Sequence, residues 1–109
     1  MAPVFQVYRL VGHSPVSWRL ISPNGRGLAR STADFLTPDE ARASIVEVVA
    51  AADRLVPTMR LTTDYRWRWE LALDERTVVQ GVGDNDRRVR CEHAWRKFVL
   101  LAPIVEVDP

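Results

Sequence analysis

The sequence predicts an α+β fold made of two similar units, ordered βββαβ and then a shortened ββαβ, that bury their apolar faces in one core. Three observations carry this reading. First, the chain echoes itself. Trp18-Arg19-Leu20-Ile21 leads to a turn, a short apolar strand and a helix carrying Ile45 and Val48-Val49; Trp69-Glu70-Leu71-Ala72 leads to a turn at Asp74-Glu75-Arg76, the strand Thr77 to Val82 and a helix carrying Trp95 and Phe98-Val99. Trp69 follows Trp18 by 51 positions and Trp95 follows Ile45 by 50, so a single one-residue gap aligns the two segments. Second, half of a 109-residue chain is near the lower limit for a self-supporting core, which favours two halves sharing one. Third, only Pro57-Thr58 separates the halves, too short a linker for independent domains. The expected organisation is a single domain, 1–109, with internal repeats 1–57 and 58–109.

The elements follow in order. Phe5 to Leu10 reads as a strand, with Phe5 and Val7 on one face and Tyr8 and Leu10 on the other. Gly12-His13-Ser14-Pro15 has turn composition, and Ser17 to Ser22 forms a second strand with Trp18 and Leu20 on one face. Pro23-Asn24-Gly25-Arg26 is a hairpin signal, because Asn-Gly tolerates the positive φ of a tight turn; Gly27 to Thr32 returns as the third strand. Thr37-Pro38-Asp39-Glu40 is a helix start, with Thr37 as N-cap, Pro38 at the first helical position and Glu40 closing a capping box. Ala41, Ile45, Val48, Val49 and Ala52 keep helical spacing, Arg42, Glu47 and Asp53 face water, and the helix is expected to reach Leu55 or Val56 before Pro57 ends it. Met59 to Thr63 is a short strand.

In the second half, Tyr65, Trp67, Trp69, Leu71 and Leu73 alternate with Arg66, Arg68, Glu70, Ala72 and Asp74, a strand with one apolar and one polar face. Val78 and Val79 lie on its return strand. Gly81 to Asn85 breaks that strand, Asp84 or Asn85 caps a helix with Asp86 in its first turn, and Val89, Trp95, Phe98 and Val99 line the buried stripe. Pro103 stops the helix, and Ile104 to Val107 is the final strand.

Composition bounds the function. The formal charge is +1, so no global electrostatic case for nucleic acid exists, although nearly all the positive charge is arginine, Lys97 being the only lysine. No apolar run spans a bilayer, and Met1 to Leu10 lacks a secretory pattern, so no membrane role and a cytoplasmic location are expected. The single Cys91 excludes an internal disulfide and a multi-cysteine metal site.

The strand run Phe5-Gln6-Val7-Tyr8, then Trp18-Arg19-Leu20-Ile21, the turn Asn24-Gly25, Ala29-Arg30-Ser31, and the helix holding Ala41, Ser44 and Ile45 together resemble the YegP-like family. Arg66-Trp67-Arg68-Trp69-Glu70-Leu71 and the helix around Trp95 extend the resemblance to the second half, more faintly. The resemblance implies β(3)-α-β repeats combined into one antiparallel sheet, with last strands exchanged and both helices on one face. It implies no activity, since these are small domains of unknown function. Two departures stand out: the second half has no room for a separate first strand before Trp69, leaving the sheet one strand short at an edge, and its turn reads Asp74-Glu75-Arg76 in place of Asn-Gly.

The best functional candidate is the strand Tyr65-Arg66-Trp67-Arg68-Trp69. With Trp67 and Trp69 facing the helices, Arg66 and Arg68 project from the open face, as Arg19 does in the first half, where arginines can hold phosphates or carboxylates. The plainer reading is core tryptophans and solvated or cross-strand-paired arginines. Arg87, Arg88 and Arg90 place three positive charges at a helix start, against the macrodipole, and form a second candidate patch or a merely exposed one. Gly81-Val82-Gly83-Asp84-Asn85-Asp86 lacks the Lys-Ser/Thr of a phosphate loop and the spacing of a calcium loop. Cys91 and His93, two apart on a helix, point opposite ways and cannot form a metal grip or a nucleophile–base pair. Arg88 and Arg90 nearby could lower the Cys91 pKa, against a plain packing role. No catalytic constellation and no cofactor or metal is expected. The favoured reading is a non-enzymatic binding or protein-interaction module. A single-stranded nucleic-acid binder using the arginine and tryptophan strand comes second, and an enzyme last. The protein is expected to be a monomer with pseudo-twofold symmetry or a homodimer paired at a free sheet edge.

Overall fold

Strand pairing follows the alternation of apolar and polar residues. The structure, a computed structural model, describes residues 3–9, 12 and 15–107; Leu10, His13 and Ser14, expected in the first strand and turn, lie outside them. The elements run β1 (Val4–Arg9), β2 (Val16–Ile21), β3 (Gly27–Ser31), α1 (Pro38–Ala50), β4 (Val56–Leu61), β5 (Trp67–Leu73), β6 (Arg76–Gly81), α2 (Arg88–Leu101) and β7 (Glu106–Val107). Among the described residues they form one seven-stranded sheet in the order β4-β5-β6-β3-β2-β1-β7. The first six strands pair antiparallel. The expectation of a wholly antiparallel sheet is corrected at one edge, where β7 runs parallel to β1.

Turn chemistry fixes the hairpins. Between β2 and β3, Gly25 has a φ of 81°, and the Asn24 side-chain oxygen accepts the Arg26 backbone N–H at 3.0 Å. The β4–β5 turn repeats the backbone hydrogen bonds of this one, with Tyr65 at a φ of 61° in the glycine's place and the Thr62 hydroxyl accepting the Arg66 N–H. Tyr65 therefore belongs to the turn and not, as expected, to the strand, which begins at Trp67. Between β5 and β6, Asp74 and Glu75 have φ values of 50° and 68°, the two-residue turn whose twist matches that of a hairpin.

The strand expected over Met59 to Thr63 forms a little earlier, as β4, and pairs with β5 along its whole length, Val56 opposite Ala72 and Leu61 opposite Trp67; as expected, no further strand lies between it and Trp67. The first helix accordingly stops earlier than expected, at Ala50, and a short 3-10 turn over Ala52–Arg54 feeds β4. Pro57 lies inside that strand, because an edge strand tolerates a residue with no N–H to donate.

The first helix start is as expected. The Thr37 hydroxyl accepts the Glu40 N–H at 3.2 Å, and the Glu40 carboxylate accepts the Leu36 N–H at 3.0 Å. The second is not. Its N-cap is Arg87, with no side-chain cap, and neither Asp84 nor Asn85 serves. Asn85 is occupied in a backbone bridge to Trp67, and Asp84 accepts from Arg66, so the helix begins later. At the far end, Pro103 sits in a 3-10 turn with Ile104, and the final strand shrinks to Glu106–Val107.

Both helices cover the same face. Trp18 is fully buried and Trp69 is 3% exposed, and both meet Phe98 of α2, with ring centroids 6.5 Å and 6.0 Å away. Phe5, Leu20, Ile45, Val48, Leu71 and Val79 complete the interior. Val89, expected in the buried stripe, is 52% exposed, and Cys91 takes the buried position. Among the described residues no helix is long and apolar enough to cross a membrane.

Candidate functional site

Because side chains alternate across a strand, burying Trp18, Leu20, Trp69 and Leu71 under the helices sends Arg19, Arg68 and Glu70 to the opposite face. Strand register then sets a transverse row. Gln6 stands opposite Arg19, Arg19 opposite Arg30, Arg30 opposite Gln80, Gln80 opposite Glu70, and Glu70 opposite Thr58. Arg60 and Arg68 form a further facing pair at the β4–β5 end. The result is a hollow of about 430 Å³ on the open face, lined by Tyr8, Arg19, Arg30, Arg60, Arg68, Glu70 and Gln80. The walls of the hollow carry four guanidinium groups and a single carboxylate.

These arginines are held differently. Arg19 Nε donates to Gln6 Oε1 at 2.8 Å, and its guanidinium carbon lies 4.7 Å from the centre of the Tyr8 ring. The hydrogen bond uses Nε alone, and the terminal nitrogens make no hydrogen bond or ion pair among the described residues. Arg60 pairs with Glu70 at 3.5 Å. Arg68 approaches Asp84 at 3.9 Å, the same carboxylate that takes Arg66 Nε at 2.9 Å. Arg30 is exposed and has no ion pair or hydrogen bond from its side chain among the described residues. Gln80 Nε2 donates to the Ser31 carbonyl over a long 3.4 Å.

Of the residues singled out from the sequence, Arg19 and Arg68 line the hollow. Arg66 stands beside it, linked to Arg68 through Asp84. Arg87, Arg88 and Arg90 are exposed around the start of α2 and do not line it; Arg90 lies 3.7 Å from Asp86. Sequence reasoning missed Arg30, Arg60, Gln80 and Tyr8 as members of one face. The available signal was parity: Arg30 lies between Ala29 and Ser31, and Arg60 follows Met59, each opposite in phase to an inward residue.

Burial pushes the Cys91 thiol above its usual pKa, outweighing the hydrogen bond from Asn85 and the Arg88 charge, which both act to lower it. The buried thiol packs in the core, and the lowering by neighbouring arginine, the alternative to a packing role, does not prevail. No cluster of three or more metal-ligating side chains occurs among the described residues. A second hollow, of about 760 Å³ beside α1, holds Phe35, Glu40, Glu47 and Arg76, but Glu47 is paired with Arg76 at 3.2 Å and Glu40 is committed to its helix start.

No protein-family model and no curated protein matches the chain. Two solved structures do. The solution structure of yegP from E. coli, a protein of unknown function, aligns over 99% of this chain and 92% of its own, with 13% identity and a TM-score of 0.79. That of a UPF0339 protein from Shewanella oneidensis aligns over 99% and 91%, with 8% identity and a TM-score of 0.80. Both resemblances lie in the path of the backbone far more than in the residues. The chain has the YegP-like fold.

Proposed function

We propose that this chain is a small non-enzymatic binding module, two degenerate copies of one unit in a single domain, whose open sheet face takes an anionic partner. The observation that carries the reading is the convergence of Arg19, Arg30, Arg60 and Arg68 on one hollow whose lining holds one carboxylate, Glu70, with Asp84 beside Arg68. Guanidinium groups suit carboxylate and phosphate because their planar fork donates two parallel hydrogen bonds.

Matching details in the two halves support the internal repeat. Val16 bridges Phe35 as Trp67 bridges Asn85, and Trp18 and Trp69 meet the same Phe98 ring. The pairing of β4 with β5, and of β7 with β1, fits units that exchange their last strands. A monomer fits the edges, one of which carries Pro57 and the other only the two-residue β7. The proposal includes a cytoplasmic location, with which a lone buried thiol is compatible.

A single-stranded nucleic acid is the weaker reading. Stacking needs exposed aromatic faces at the site, yet Trp69 is buried, Trp67 packs against the core, the Tyr8 ring is already covered by Arg19, and the exposed Tyr65 lies in the β4–β5 turn and does not line the hollow. Backbone amide spectra recorded during titration with oligoglutamate, and separately with oligothymidylate, decide the matter. The expected result is movement of the Arg19, Arg30, Arg60 and Arg68 signals with oligoglutamate, weakening as salt is added. Movement confined to the helical side, or none with either probe, overturns the proposal.

A further inference from the structure

The facing arginines of β2 and β3 break a rule of sheet construction. Like charges directly opposite on one face destabilise a strand pair, and Arg19 and Arg30 are register partners with no carboxylate paired to either among the described residues. The other facing pair, Arg60 and Arg68, is relieved on both sides, by Glu70 and by Asp84. The two unrelieved guanidiniums stand next to each other in the row, followed by the Gln80 amide, at the wall of a hollow whose volume of about 430 Å³ lies in the range of small-ligand pockets. Arg19 is aimed in advance by Gln6 and Tyr8, so little side-chain freedom is lost when its terminal nitrogens engage a ligand.

We infer that Arg19 and Arg30, with Gln80 beside them, form a subsite for one doubly charged tetrahedral oxyanion, the terminal phosphate of a small phosphomonoester. Charge selects this class. Two guanidiniums without an acid match a phosphomonoester, which carries close to two negative charges at neutral pH, better than a single carboxylate. Geometry agrees, since a tetrahedral anion offers oxygens to two forks and to an amide at once. Gly83 at the rim, with nothing within 4 Å of where a side chain would begin, leaves backbone open for the organic part of such a molecule. The inference rests on the open face being the binding surface and deepens that reading.

The test is a calorimetric and amide-shift titration of the full chain with inorganic phosphate, sulfate, acetate, glycerol 3-phosphate and a phosphoserine peptide. Phosphate, sulfate and glycerol 3-phosphate are expected to move the Arg19, Arg30 and Gln80 signals, and acetate to bind at least about tenfold more weakly. Arg30→Gln, at an exposed side chain that nothing else uses, is expected to weaken phosphate about tenfold, the loss of one charged hydrogen-bonding partner, while Arg42→Gln, on α1 at the other side of the sheet, leaves phosphate affinity unchanged. Equal binding of acetate and phosphate overturns the subsite, as does binding of the phosphoserine peptide alone. So does oligoglutamate moving the open face when phosphate and sulfate do not, an outcome that leaves the broader binding reading standing. Silence with every anion removes both.

Discussion

Gly81 shows how one missing side chain sets the core. It lies on β6, and a Cβ built there falls 2.6 Å from Cε2 and 2.9 Å from Cδ1 of Trp69, a buried ring with no room to retreat. Gly81→Ala is expected to cost about 1–3 kcal/mol in urea unfolding, as overpacking in a filled interior does. Gly27→Ala, whose added carbon meets only Val82 methyls at 3.5 Å, is the control and is expected to stay close to neutral. Tyr65 makes the opposite case. Its backbone occupies the left-handed region at a φ of 61°, and its side chain is 79% exposed, so the ring contributes little there. Tyr65→Gly is expected to raise stability by about 1 kcal/mol by removing a Cβ penalty, seen as a Tm increase of roughly 4–8 °C in a domain of this size. The Trp67–Leu73 alternation was legible in the sequence because a period of two has one simple meaning. The turn at Tyr65 was not, because an aromatic residue carries no mark of a positive φ.

The two helices differ most where they begin. Thr37 caps α1 with its hydroxyl, whereas Arg87 at the matching point of α2 offers no acceptor. Arg87→Thr is expected to stabilise the protein by about 1 kcal/mol in thermal or urea unfolding, and Thr37→Ala to remove a similar amount. If Arg87→Thr instead loses stability, its guanidinium makes a contribution that cap geometry does not explain. The first helix start could be read directly, since Thr-Pro-Asp-Glu is a local signal with local partners. The second could not, because Asp84 and Asn85 were drawn away by long-range partners, Arg66 and Trp67. Pro57 misled for the same reason. It marks a helix end by its own chemistry, yet here it lies within β4, and only the position of that strand at the sheet edge makes this permissible. In the candidate site, Arg19 and Arg68 were visible from strand phase alone. Arg30 and Arg60 were open to the same argument from phase, but their convergence on one hollow required knowing which strands lie side by side.

Across the whole molecule, the wet face exists because the other face is shared. Phe98, carried by the second helix, packs against Phe5 and Trp18 from the first half and Trp69 from the second. That arrangement fixes the phase of β2 and β5 together and so turns Arg19 and Arg68 outward onto a common surface. Loss of one half would leave the other with an uncovered apolar face, near or below the size at which a core sustains itself. The direct measurement is native-state hydrogen exchange on Phe98→Leu, a change expected to cost about 1–2 kcal/mol by lost packing while leaving the chain folded. With one shared interior, the slowest amides of β2 and β5 lose the same free energy of protection, although the substitution lies in only one half. Loss confined to β5, with β2 protected as before, would mean that the halves stand apart and that no common face is built.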